Sequence, residues 1–161
     1  MFFRVSQERT QSFGKSLFLG DLREELVFPF PQPNHAEQKR LLDEVRRFAR
    51  QSIDARRIDS EAQIPAEVIA GLRKLGLFGM IAPSDVGGSG LSLSATCRVL
   101  DLLGSFDSSV AMLVAVHLGF AVQAIQRFGT KSQRQRYLPR LASGESLGAF
   151  ALSEPLAGSD A

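Results

Sequence analysis

Between residues 75 and 126 the chain carries only four formally charged side chains, Asp85, Arg98, Asp101 and Asp107. A span so apolar has to be covered by more charged neighbours if the chain is to stay in water. Such neighbours flank it. Upstream, Leu41, Leu42, Val45, Phe48, Ala49 and Ile53 recur at helical spacing, with Arg46, Arg47 and Arg50 between them. Asn34 and Glu37 are spaced as a cap for that helix. A second helix follows Pro65, buries Val68, Ile69, Leu72 and Leu75, and stops at Gly76. A third is predicted near 92–103. A fourth runs from a cap at Asp107 or Ser108 to about residue 128. Thr130 with Gln133 forms a capping box for a fifth, kinked or ended near Pro139. Five or so helices with short connections predict an all-α antiparallel bundle with the apolar pair inside.

The ends read differently. Residues 1–34 are expected to form an extended arm laid over a domain, because the Phe28-Pro29-Phe30-Pro31-Gln32-Pro33 run excludes helix. The bundle occupies 35–146. Residues 147–152 are apolar and strand-like, and a lone strand needs a sheet to join. Residues 147–161 are therefore expected to be the start of a truncated β-rich domain, and the sequence reads as a fragment.

Composition narrows the function. Of 161 residues, 44% are hydrophobic and 22% charged, which suits a folded globular chain. One cysteine, Cys97, and two histidines, His35 and His117, exclude a disulfide framework and a Cys/His metal cluster, so no metal is expected. Nineteen basic against seventeen acidic residues leave +2, no footprint for nucleic acid. Residues 110–125 are at the short end of the roughly 20 residues a bilayer needs and include His117, Gly119 and Gln123, so a buried core helix is expected in place of a membrane span. No export signal is visible, because Arg4, Glu8, Arg9 and Lys15 interrupt the amino terminus. A cytoplasmic location is expected, with the mitochondrial matrix as the alternative.

Several motifs invite chemistry. Gly144-Glu145-Ser146-Leu147-Gly148 fits the G-x-S-x-G of a hydrolase elbow, but here a helix precedes it and a strand follows, the reverse of what that elbow requires. Gly87-Gly88-Ser89-Gly90 lacks the βαβ setting of a dinucleotide loop. His117 reads as a hydrogen-bonded core or pocket histidine, Cys97 as a small core residue, and the basic residues between Arg127 and Arg140 as a solvated face. The final segment, Phe150-Ala151-Leu152-Ser153-Glu154-Pro155-Leu156-Ala157-Gly158-Ser159-Asp160, places a hydroxyl, an acid and a Gly-Ser pair just past the apolar stretch, where backbone amides can meet phosphate oxygens.

That segment resembles the flavin-binding signature of acyl-CoA dehydrogenases, a threonine followed by Glu-Pro and then Ala-Gly-Ser-Asp. Three further stretches resemble the family in order: Leu75-Gly76-Leu77-Phe78-Gly79 with the Pro83 to Leu91 loop, Phe128-Gly129-Thr130, and the run from Tyr137 to Glu145. Residues 12–31 are similar to the start of the very-long-chain branch. The resemblance implies a helical amino-terminal domain followed by a β-rich middle and a helical carboxy-terminal domain, with FAD bound between them. It implies α,β-dehydrogenation of a fatty acyl-CoA, of long chain, to a 2-enoyl-CoA in fatty acid β-oxidation. Electrons then pass to an electron-transfer flavoprotein, and the full-length protein forms a homo-oligomer.

Residue by residue, the resemblance implies that Phe150 and Leu152 lie against the flavin and that Ser153 stands where the family has threonine. Gly158 and Ser159 approach the pyrophosphate, and Ser159 also meets the acyl-CoA. Leu156 departs from a frequent glycine. The catalytic glutamate belongs to a later domain, so no catalytic residue is expected in these 161 residues, Glu154 included, and the chain alone is expected to be inactive. An acyl-CoA oxidase-like flavoenzyme and a stand-alone helical interaction or lipid-binding module are the competing readings.

Overall fold

A computed structural model describes residues 12–29 and 36–159, apart from the side chains of residues 36 and 37. Two units separate, Met1–Asn34 and His35–Ala161. In the first, helix α1 (Phe13–Phe18) starts where Ser12 Oγ accepts from the Lys15 amide, and a 3₁₀ turn at Glu24–Leu26 follows. The arm is therefore not extended throughout. Residues 13–18 contain no proline, and Ser12 supplies a cap, so a short helix forms. Phe30 to Asn34 lie outside the described residues, and with them the Asn34 cap.

In the second unit the expected helices appear as α2 (Ala36–Ser52), α4 (Ala66–Lys74), α5 (Leu93–Gly104) and α8 (Lys131–Ala142). The long fourth one is assembled from α6 (Ser108–Val116), a π-helical turn (His117–Val122) and α7 (Gln123–Phe128). A further helix, α3 (Ala55–Glu61), was not anticipated; Asp54 caps it by accepting from the amides of Arg56 and Arg57. The caps expected at Asp107 and Thr130 form, and Ser92 caps α5 as well. Ser92 Oγ accepts from the Ala95 amide, Asp107 from Val110 at 2.9 Å, and Thr130 with Gln133 makes a reciprocal box. Pro139 does not stop α8, which continues to Ala142.

Helix α5 packs on α6 and α2, α2 on α4, and α7 on α8. Val45, Leu72, Phe78, Val99, Leu103 and Val114 are among the fully enclosed side chains. Along α6 and the π turn the buried apolar positions are Val110, Val114, Leu118 and Val122, spaced by four, with His117 buried beside them. Four residues overshoot an α-helical turn by about 40°. A wider π turn takes up that drift and keeps Leu118 and Val122 on the core side. The opposite face is less covered than expected: Met112, Phe120 and Phe128 are half-exposed or more. By length and composition the 21 residues Ser108–Phe128 would suffice to cross a membrane. Cys97, expected in the core, is exposed, because α5 turns Ala95, Thr96, Val99 and Leu103 inward.

No strand forms among the described residues. The stretch 147–152 has no regular structure, and the only bridge there joins Glu154 to Ala157 within one tight turn. A strand needs donors and acceptors from a neighbour, and no other strand among the described residues offers them.

Candidate functional site

Three elements converge beneath the carboxy-terminal segment: the 3₁₀ turn Leu77–Gly79, the end of α8, and the π turn. Their approach is close. A Cβ on Gly79 would stand 2.7 Å from the Ala142 carbonyl oxygen, and one on Gly144 would stand 2.5 Å from the Phe78 ring. Gly144 also has φ of 73°, a left-handed conformation that glycine adopts without strain. Arg73 clamps this corner by donating from Nε to the Gly144 carbonyl at 2.9 Å.

His117 sits at the centre, fully buried. Its Nε2 lies 3.2 Å from the Phe78 carbonyl oxygen and 3.1 Å from that of Leu141, and its Nδ1 accepts from the Gly148 amide at 3.0 Å. Two acceptors on one side and a donor on the other fix the neutral tautomer with the proton on Nε2. The Phe78 ring meets the imidazole edge-on at 5.1 Å. Burial pushes the His117 pKa below its ordinary value, the two carbonyls opposing this less strongly. The core reading of His117 holds, and its nitrogens are all engaged.

The sign of the pH effect follows. An unfolded chain, with His117 near its ordinary pKa of about 6.5, takes up a proton more readily than the folded one. Stability contributed by neutral His117 is thus complete above about pH 6.5 and is lost as the pH falls through the lowered folded value. Urea midpoints measured from pH 7.5 to 5 should fall on the acid side, and the difference from His117→Asn should shrink with them.

Beyond Gly148 the segment opens out. Phe150 stacks on Phe120 with centroids 4.7 Å apart and planes at 12°, yet remains 54% exposed, and Leu152 is 57% exposed. Ser153, Gly158 and Ser159 are exposed, and a Cβ on Gly158 would meet nothing within 4 Å. Glu154 and Ala157 exchange backbone bonds of 2.8 and 3.3 Å around Pro155 and Leu156, the latter fully solvated. All five sequence-derived site residues thus lie in one exposed segment anchored at Gly148 and Phe150. The link from His117 to Gly148 was missed by sequence reasoning; a histidine inside an uncharged helix was its only signal.

The two decoy motifs resolve. Ser146 follows α8 and is preceded by no strand, so no nucleophile elbow forms. In the glycine loop the amides of Gly88, Ser89, Gly90 and Leu91 donate to the carbonyls of Pro83, Gly79, Ala82 and Met80, leaving none of those four for a phosphate. Along α8, Arg134 donates to the Gly129 carbonyl, Arg136 lies over the Tyr137 ring and Arg140 pairs with Glu145, on a largely solvated face. No group of three metal-ligating side chains occurs among the described residues.

The family profile described as the acyl-CoA dehydrogenase N-terminal domain matches residues 35–145, and the chain belongs to that family. It is 37% identical over 98% of its length to the mitochondrial very long-chain specific acyl-CoA dehydrogenase of Macaca fascicularis, covering 25% of that protein. It is 40% identical over 92% of its length to the probable acyl-CoA dehydrogenase FadE10 of Mycobacterium tuberculosis, covering 23%. Among solved structures, the butyryl-CoA dehydrogenase of Megasphaera elsdenii superposes with a TM-score of 0.71 at 27% identity, over 81% of this chain and 36% of that one. The chain spans about a quarter of the length of the curated relatives it matches.

Proposed function

We propose that this chain is the amino-terminal part of an FAD-dependent acyl-CoA dehydrogenase that converts long-chain fatty acyl-CoA to 2-enoyl-CoA, with an electron-transfer flavoprotein as acceptor and a homo-oligomer as the working form. The observation that carries the reading is the segment from Phe150 to Ser159, held to the bundle at its start and open to solvent beyond. Its residues fit a flavin nucleotide. Phe150 and Leu152 offer uncovered apolar surface to a planar ring, Ser153 an uncovered hydroxyl, and Gly158 a backbone that a phosphate can approach without meeting a side chain.

When bound, FAD supplies the electron sink for the reaction. The chain's own residues bind and orient. Phe150 and Leu152 cover the ring and exclude water from it. Ser153 donates toward the flavin, with more rotamer freedom than threonine would have. Ser159 donates to the pyrophosphate and to the acyl-CoA. Glu154 is held in a solvated turn and has no role as the base. The helix 108–128 is a core element and not a membrane span, since it presents a buried stripe and the triply bonded His117 to the bundle. The mammalian relatives, named as mitochondrial, favour the matrix over the cytoplasmic expectation; cell fractionation decides between them.

The test is a chimera in which this chain replaces the matching quarter of the mycobacterial relative. It should bind stoichiometric FAD and reduce a ferricenium dye with palmitoyl-CoA, whereas the chain by itself should do neither. Ser153→Ala should lower flavin occupancy. A folded chimera without flavin overturns the reading; oxygen uptake in place of dye reduction would turn it into an oxidase.

A further inference from the structure

We infer that His117 is a positioning residue: by accepting from the Gly148 amide it sets the place and direction in which the Phe150–Ser159 segment leaves the helical bundle. The inference rests on the flavin reading for its purpose, but its geometry stands alone. One imidazole joins four parts of the chain. Nε2 ties the 3₁₀ turn, through Phe78, to the end of α8, through Leu141, and Nδ1 ties both to the exit segment. Gly148 has to come this close: a Cβ there would stand 2.0 Å from the Ala121 Cβ of the π turn, so the backbone lies directly on that turn. Two residues later Phe150 stacks on Phe120, also of the π turn. The π turn thus carries the histidine, the small residue and the ring that together seat the segment.

Nothing on the segment itself replaces this anchor. Beyond Phe150, the hydrogen bonds of the segment among the described residues are those within its own turn at Glu154 and Ala157. A tether at residue 148 therefore governs where residues 150–159 stand relative to the bundle. The imidazole does so through two separable atoms. Asparagine places an acceptor where Nδ1 lies, and glutamine places its terminal amide near Nε2, so the two variants remove opposite halves of the bridge.

The test is amide exchange and ring contacts by NMR on the full 161-residue chain at pH 7.5. The Gly148 amide should exchange at least tenfold faster in His117→Gln than in the wild type, with the Phe120–Phe150 ring contacts weakened, and His117→Asn should restore both. Equal exchange in wild type and His117→Gln, or no rescue by asparagine, overturns the inference. Should either replacement unfold the bundle, the wild type decides: a scalar coupling across the hydrogen bond between the Gly148 nitrogen and Nδ1 supports the tether, and its absence overturns it. None of these readouts involves flavin, so a chimera that fails to bind FAD would strike the proposed function and leave this tether standing.

Discussion

Replacing Phe78 with alanine should destabilise the chain by about 3–5 kcal/mol, the largest effect of any single truncation in the core. Phe78 is the bulkiest of the fully buried side chains, and its ring touches two structural joints at once. It lies edge-on to His117, and it fills the space against which Gly144 closes the turn after α8. Deleting it leaves a cavity between the 3₁₀ turn and α8 that rigid helices cannot collapse to fill. For a chain of this size such a loss corresponds to a fall in Tm of roughly 6–20 °C. Thermal and urea unfolding followed by circular dichroism measure it. A change below about 1 kcal/mol would mean that the corner repacks, and that the ring is not its keystone.

The second large effect is expected at Gly88. A Cβ there would stand 2.0 Å from the Ala82 carbonyl oxygen and 2.6 Å from its Cβ, contacts that only a backbone shift relieves. That shift pulls on a loop whose neighbouring amides already bond to the carbonyls of residues 79–83. Gly88→Ala should therefore cost at least about 2 kcal/mol, within the range for overpacking a closed site. Gly87→Ala makes the informative companion. Nothing lies within 4 Å of its added Cβ, but its φ of 85° strains an L-residue, so its loss should be smaller and of backbone origin.

Most of the bundle was readable from apolar positions at helical spacing, joined at two starts by capping side chains. Asp107 and Thr130 each announce a start that the structure keeps. Helix α3 escaped notice because it buries only Ile58 among its seven residues, so no apolar stripe marks it, although Asp54 was a usable cap. The π turn was not legible, because nearly every position from Val110 to Val122 is apolar and the four-residue spacing emerges only from which of them are buried. The coverage of that helix was overestimated for a simple reason: low charge shows that a face is apolar, not that a neighbour lies on it. Met112, Phe120 and Phe128 display the difference. The candidate site was legible as a motif and as a family resemblance. The contact that seats it was not, since His117 and Gly148 are 31 positions apart and only the closing of α8 against the 3₁₀ turn brings them together.

The glycine-rich stretch from Pro83 to Leu91 has a practical side. Its composition advertises a pliable surface loop, the usual choice for splicing in an epitope or a fluorescent reporter. Yet its amides from Val86 to Leu91 are tied, one after another, to carbonyls at its own start and in the chain just before it. Guest sequence placed there would have to unstitch those ties first, and a graft is better made elsewhere on the molecule.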